Sequence, residues 1–226
     1  MRHGKGVFFA RGYYKYDGDW KLDKRDGKGT CSYDNGAGEY EGSWKDDMRH
    51  GKGIMFIPNE YEYDGEWKED REEGKGTAKY LKTNEKYVGM FKESVPSGYG
   101  KRLYSDGSIY EGEFENGVRS GRGAFTNKGD GSKYRGEWKG DKKNGYGACQ
   151  FSDGTVFRGE WKDDSWVQST ACPKNTKVFG NGIVSAVAGT NATFGIEARD
   201  ELNNKRLSGG DIFRVVLTLQ EEEHED

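Results

Sequence analysis

Hydrophobic and polar positions alternate over most of this chain, and the alternation resets at a regular interval. In Tyr40–Trp44, YEGSW, the residues Tyr40, Gly42 and Trp44 fall on one side of a strand and Glu41 and Ser43 on the other. In Gly51-Lys52-Gly53 the glycines share a face and Lys52 takes the opposite one. The aromatic-x-Gly-x-aromatic unit recurs as YDGDW, YEGSW, YDGEW, YVGMF, YEGEF, YRGEW and FRGEW, starting at 16, 40, 63, 87, 110, 134 and 157. Its steps alternate between 24 and 23 residues. Gly-x-Gly begins 11 residues after the first aromatic, at Gly27, Gly51, Gly74, Gly98, Gly121 and Gly145. A partial repeat contributes Gly4 and Gly6, and only the repeat starting at Phe157 has no such pair. A fixed period of this length predicts a tandem array, and the period of two within it predicts strands.

Read alone, RHGKG at Arg49–Gly53 suggests a phosphate loop. Such a loop occurs once per site, between a strand and a helix. Here it is one copy of a recurrent feature with no helical pattern beside it, so its role is structural. A hairpin with a four-residue loop at Asp46–Arg49 sets Trp44 opposite Gly51, Gly42 opposite Gly53 and Ser43 opposite Lys52. In most repeats the last pairing becomes acid opposite base, as Asp19/Lys28, Glu66/Lys75 and Glu113/Arg122. A Trp lying across a neighbouring strand needs a position without a side chain there. At the other end of each repeat, NGAGE, SDGSI and SDGTV predict tight hairpin turns.

Tandem Y-x-G-E-W followed by Gly-x-Gly resembles the MORN repeat (membrane occupation and recognition nexus), over residues 1 to about 166. The expected fold is all-β: an elongated, single-layer antiparallel meander of hairpins, spanning roughly 70 Å at about 4.8 Å per strand. Residues 1–167 form the array, 168–177 a linker with Pro173, 178–220 a second module and 221–226 an acidic tail, EEEHED.

In the second module Phe194, Ile196 and Ala198 alternate, as do Phe213, Val215, Leu217 and Leu219, predicting two half-buried strands. The run from Val178 to Leu219 resembles the first part of a filamin-type immunoglobulin-like repeat, which implies a partial β-sandwich. A full sandwich needs about seven strands. This one stops after about three, and the array begins mid-repeat, so the expectation is a fragment of a larger protein. The other reading pairs 178–226 as a short hairpin on the end of the array.

Composition restricts the function further. Hydrophobic residues are only 32% and charged residues 33%, yet 14% of the chain is aromatic. The core must therefore be thin and built from rings. Residues 1–168 hold 30 basic and 30 acidic side chains. This leaves no nucleic-acid stripe, and nucleic acid is not an expected partner. Cys31, Cys149 and Cys172 are odd in number and far apart, which predicts a reducing, cytoplasmic setting without a disulfide framework. There is no run of apolar residues long enough to cross a bilayer.

His3, His50 and His224 are the only histidines, and His3 and His50 read as turn residues. No zinc, EF-hand or nucleophile pattern is present. No catalytic residue, metal site or cofactor is expected.

The expected function is a non-catalytic scaffold that binds protein partners or itself, in a cytoskeletal or membrane-proximal setting, as the resemblance implies. The alternatives are weak phospholipid binding, and a regulatory arm of an enzyme such as a phosphoinositide kinase or a methyltransferase. A column of Lys21, Lys45, Lys68, Lys92, Lys139 and Lys162, interrupted by Glu115, is the feature that favours lipid. The candidate partner site lies on the charged face. There Val88 and Met90 replace polar residues, Tyr99 replaces the usual Lys or Arg, and Leu103 follows; Phe56 shares the column of Leu103, with Ile54 beside it. An apolar patch on a solvated face marks a binding surface.

Overall fold

A computed structural model describes residues 1–167, 177–179, 195–200 and 202–205. Packing divides the chain into two units, Met1–Trp166 and Val167–Asp226.

The first unit is a single antiparallel sheet in which each strand pairs with its neighbours in sequence. Its strands are β1 (Gly4–Ala10), β2 (Tyr14–Lys21), β3 (Lys24–Tyr33), β4 (Gly38–Lys45), β5 (Met48–Ile57), β6 (Tyr61–Lys68), β7 (Arg71–Tyr80) and β8 (Glu85–Lys92). They continue as β9 (Val95–Leu103), β10 (Ile109–Glu115), β11 (Val118–Thr126), β12 (Lys133–Lys139), β13 (Lys142–Gln150), β14 (Val156–Lys162) and β15 (Ser165–Trp166). Within this unit the one helical element is a 3-10 turn, Asp34–Gly36. The meander expected from the repeat is the observed fold.

The hairpin register differs from the one expected. Between β4 and β5, Gly42 does face Gly53, but Trp44 faces Arg49, so His50, Gly51 and Lys52 together oppose Ser43 in a bulge. The tight turn is the two-residue pair Asp46-Asp47, with φ of 50° and 71°, not a four-residue loop. Such primed turns match the twist of paired strands. The Asp-Gly ends are longer: Tyr104 N–H donates to Ser108 O at 2.9 Å across an intervening loop. Gly51, at φ 66°, supplies the left-handed residue that the bulge needs. The glycine opposite Trp44 is Gly27 of the preceding strand. Lys52 correspondingly faces Glu66 of the next repeat, and Arg122 faces Glu137. The acid–base pairs thus join successive repeats, not the two strands of one hairpin.

The rings explain both glycines. Each leading tyrosine folds over the glycine pair beside it; a Cβ on Gly53 would stand 2.5 Å from Tyr40 Cζ. The Tyr40 hydroxyl then donates to Ser43 O at 2.9 Å, holding the carbonyl opposite the bulge. Tyr16, Tyr63, Tyr87, Tyr110 and Tyr134 repeat this bond. Phe157 stands in the repeat with no following Gly-x-Gly, where no bulge needs the hydroxyl. The Trp that closes an aromatic-x-Gly-x-Trp unit donates its Nε1–H backwards, as Trp44 to Gly29 O and Trp67 to Gly53 O, both at 3.0 Å, and Trp20, Trp138 and Trp161 do likewise. The result is a continuous edge-to-face ladder, for example Tyr40–Trp67 at 5.3 Å and Tyr63–Phe91 at 5.1 Å. Such contacts add about 0.5–1.5 kcal/mol each beyond burial, which is how a chain poor in aliphatic residues holds a single-layer sheet.

A second column ties each hairpin to the next. Arg25 stacks 4.1 Å from the Trp44 ring, and its backbone N–H donates to Asp47 in the next turn at 2.9 Å. Arg49, Trp67 and Asp70 repeat the arrangement, as do Arg119, Trp138 and Asp141. Two central repeats break it together. Glu72 replaces the arginine where the ring is Phe91 and the turn residue Ser94, and Pro96 replaces it where these are Phe114 and Gly117. In the intact repeats the arginine joins the set, stacking on the ring and pairing with the turn aspartate.

In the second unit, Lys177–Phe179 pairs antiparallel with Gly195–Glu197, and Arg199 bridges Lys205. Asp200, buried, accepts the Asn204 backbone N–H at 2.8 Å. Ile196 lies in the strand expected there. Phe194, Phe213, Val215, Leu217, Leu219, most of the expected linker and the acidic tail lie outside the described residues.

Candidate functional site

The faces of the sheet differ in what they leave unused. One is covered by its own rings, and Tyr16, Tyr40, Tyr63, Tyr87 and Tyr110 are fully buried. The opposite face carries the charges, and the backbone register arranges them in rows across the strands. One row runs Asp17, Thr30, Glu41, Ile54, Asp64, Thr77, Val88, Lys101, Glu111, Ala124, Arg135, Ala148 and Arg158. This face is hollowed along the facing glycine pairs, with one concavity over β1–β6 and another over β9–β14.

The six expected site residues all lie exposed on this face, from 37% at Met90 to 60% at Tyr99. Val88 and Met90 are two apart on β8, and Lys101, which faces Val88, is flanked on β9 by Tyr99 and Leu103. These four form the central group. Phe56 and Leu103 do share a row, but Glu62, Lys79 and Lys86 stand between them. Asp64 and Thr77 likewise separate Ile54 from Val88. Ile54 and Phe56 are thus a separate pair, not part of one continuous patch.

Met90 and Tyr99 do not face each other. Met90 faces Lys75 of the preceding strand and lies over Gly98, while Tyr99 faces Glu113 of the following strand. The Tyr99 hydroxyl donates to Glu111 at 3.1 Å, and this bond raises its pKa.

Two features were missed from sequence. In the second concavity Tyr99, Arg122, Arg135 and Tyr146 come together over a floor containing Ala124, Gly136 and Ala148. Its signals were legible: YRGEW and FRGEW place arginine where earlier repeats have an acid, and Tyr146 takes the place of a lysine. The other is Glu72, buried on the ring face. Its carboxyl accepts the Tyr61 hydroxyl at 2.9 Å, and burial pushes its pKa up to about 7.

The thiols of Cys31 and Cys149 are free and buried, and burial raises both pKa values, away from reactivity. His50 sits inside a bulge, not at a loop end. Among the described residues no group of three or more His, Cys, Asp or Glu is placed to hold a metal ion, and no helix is long and apolar enough to cross a membrane.

The MORN repeat family matches the chain at residues 1–12, 16–38, 40–59, 63–80, 87–109, 110–130 and 134–156. No curated protein matches it.

Proposed function

Because the chain belongs to the MORN-repeat family, we propose that it is a non-catalytic scaffold that binds a protein partner on the charged face of its sheet. The observation that carries this reading is the central group: Val88, Met90, Tyr99 and Leu103 project into solvent together from the face that carries the charges. Met and Tyr are favoured at interface cores. Ile54 and Phe56 offer a second, smaller contact. The setting we infer is cytoplasmic, at the cytoskeleton or close to a membrane. We infer from the alternation in its sequence that 178–219 is the start of a filamin-type interaction module; the antiparallel pairing of Lys177–Phe179 with Gly195–Glu197 is compatible with this and with a short hairpin alike.

Protein is preferred to phospholipid as the partner because the lysine column is interleaved with acidic turns. Lys21, Lys45, Lys68 and Lys162 each border a turn containing Asp or Glu, and Lys24–Asp46 is an ion pair at 3.0 Å. Attraction to anionic lipid grows with unopposed basic charge.

The test uses Met90→Glu with Tyr99→Lys. The new Glu would face Lys75 and the new Lys would face Glu113, the pairing found elsewhere between successive repeats. The fold should survive, while sedimentation and affinity capture should show loss of self-association or of a partner bound by the parent. If the folded variant keeps every contact, the central group is not the site. Co-sedimentation with phosphatidylserine vesicles that is equal for parent and variant, with no protein captured by either, would favour the lipid reading.

A further inference from the structure

The groove on the charged face changes character along the array. Over β1–β6 the acids Asp17, Glu41 and Asp64 run beside Lys5, Lys28 and Lys52, and the two signs are interleaved. Over β9–β14 the row of acids gives way to Ala124, Arg135 and Ala148, and the row of lysines to Tyr99, Arg122 and Tyr146. Two carboxylates in this second half, those of Glu111 and Glu113, are already engaged. Glu111 accepts the Tyr99 hydroxyl at 3.1 Å and lies 3.7 Å from Lys101 Nζ. Glu113 accepts the Arg122 backbone N–H at 3.1 Å, and Glu137 is folded over Gly145.

Two guanidinium groups of this groove, those of Arg122 and Arg135, differ from the other arginines of the sheet. Arg2, Arg25, Arg49, Arg71, Arg102 and Arg119 each hold a carboxylate. Among the described residues, the side chains of Arg122 and Arg135 hold none. Each offers five donors in a fork that fits a carboxylate. They stand between Tyr99 and Tyr146, both more than half exposed, and Arg with Tyr is the composition of interface hot spots.

We propose that this groove binds an acidic peptide segment of a protein partner, with carboxylates on Arg122 and Arg135 and aliphatic side chains against the two tyrosine rings. The inference rests on the protein-binding reading above and adds the partner's chemistry. From β9 to β13 is four strand steps, about 19 Å, which an extended peptide of about six residues covers. The lining holds three arginines and two glutamates, too small an excess for nucleic acid, which calls for a broad basic stripe.

The test measures fluorescence anisotropy of the full chain with a fluorescein-labelled peptide alternating Glu and Leu, and with a matched peptide alternating Lys and Leu. The Glu peptide should bind and the Lys peptide should not. Arg122→Glu with Arg135→Glu should weaken binding by about tenfold or more, whereas Lys52→Glu, in the first half of the groove, should leave it unchanged. Arg122 faces Glu137, so its reversal to Glu sets two acids opposite each other and should lower the melting curve slightly; Arg122→Gln with Arg135→Gln creates no like-charge pair, should keep the parent's melting curve, and should weaken binding as well. Met90→Glu separates the two readings. If partner capture depends on Met90 but the Glu peptide does not bind, this inference fails while the protein-binding reading stands. Equal loss on Lys52→Glu, or arginine-dependent binding to phosphatidylserine vesicles without binding of the peptide, would also overturn it.

Discussion

Glu72→Gln tests the account of the interrupted arginine column most directly. Glu72 lies where Arg25, Arg49 and Arg119 lie in their repeats, in the set whose ring position holds Phe91 instead of a tryptophan, and it faces Trp67 across the hairpin. It is 7% exposed, and its carboxyl sits among Tyr61, Tyr63 and Tyr80, with Arg49 the nearby cation. Burial raises its pKa from 4.5 to about 7, against the smaller lowering effects of the Tyr61 hydrogen bond and Arg49. The folded state therefore holds this proton more tightly than the unfolded chain. Below pH 4.5 both states are protonated and the group costs nothing. Between pH 4.5 and 7 the unfolded chain releases the proton first, and stability falls. Above pH 7 the cost levels off at about 3 kcal/mol, from roughly 1.4 kcal/mol per pKa unit. Glutamine keeps the shape and the acceptor for Tyr61 without a charge. In urea titrations its advantage over the parent should grow by about 2–3 kcal/mol between pH 5 and pH 8. Parallel stability curves over that range would show that the carboxyl is solvated and the reasoning wrong.

Replacing the set together, Glu72→Arg with Phe91→Trp and Ser94→Asp, should stabilise the sheet at pH 8 by about 1 kcal/mol more than the sum of the single changes, because in the intact repeats the arginine contacts both the ring and the aspartate; additivity in denaturant titrations would refute the column. Trp67→Ala should cost about 3–5 kcal/mol and Trp67→Phe about 1 kcal/mol for the lost bond to Gly53 O, whereas Glu66→Ala should cost under about 0.5 kcal/mol. Gly53→Ala should cost about 1–3 kcal/mol because Tyr40 must leave its place. Gly6→Ala should change stability by less than about 0.5 kcal/mol, since its Cβ would meet only Trp20, at an ordinary 3.6 Å; equal costs at the two glycines would refute the assignment of the tyrosine.

The repeat period, the two faces and the ring-built core were legible in the sequence because each is a local property. Strand alternation assigns Tyr40 and Trp44 to one side and Glu41 to the other without knowledge of any partner strand. The exposed positions of Val88, Met90, Tyr99 and Leu103 follow from the same parity. Which residues meet across strands was not local. The first glycine of Gly-x-Gly accommodates a bulge, and a bulge shifts the register by an amount that parity does not encode. The same letters therefore admit Trp44 over Gly51 or over Gly27, and only the folded sheet selects Gly27. From that shift follow the pairing of Lys75 with Met90, the placing of Arg135 opposite Ala124 and Ala148, and the burial of Glu72 beside Tyr61. Each is a contact between residues of different strands or different repeats, and such contacts exist only once register and bulge are fixed together.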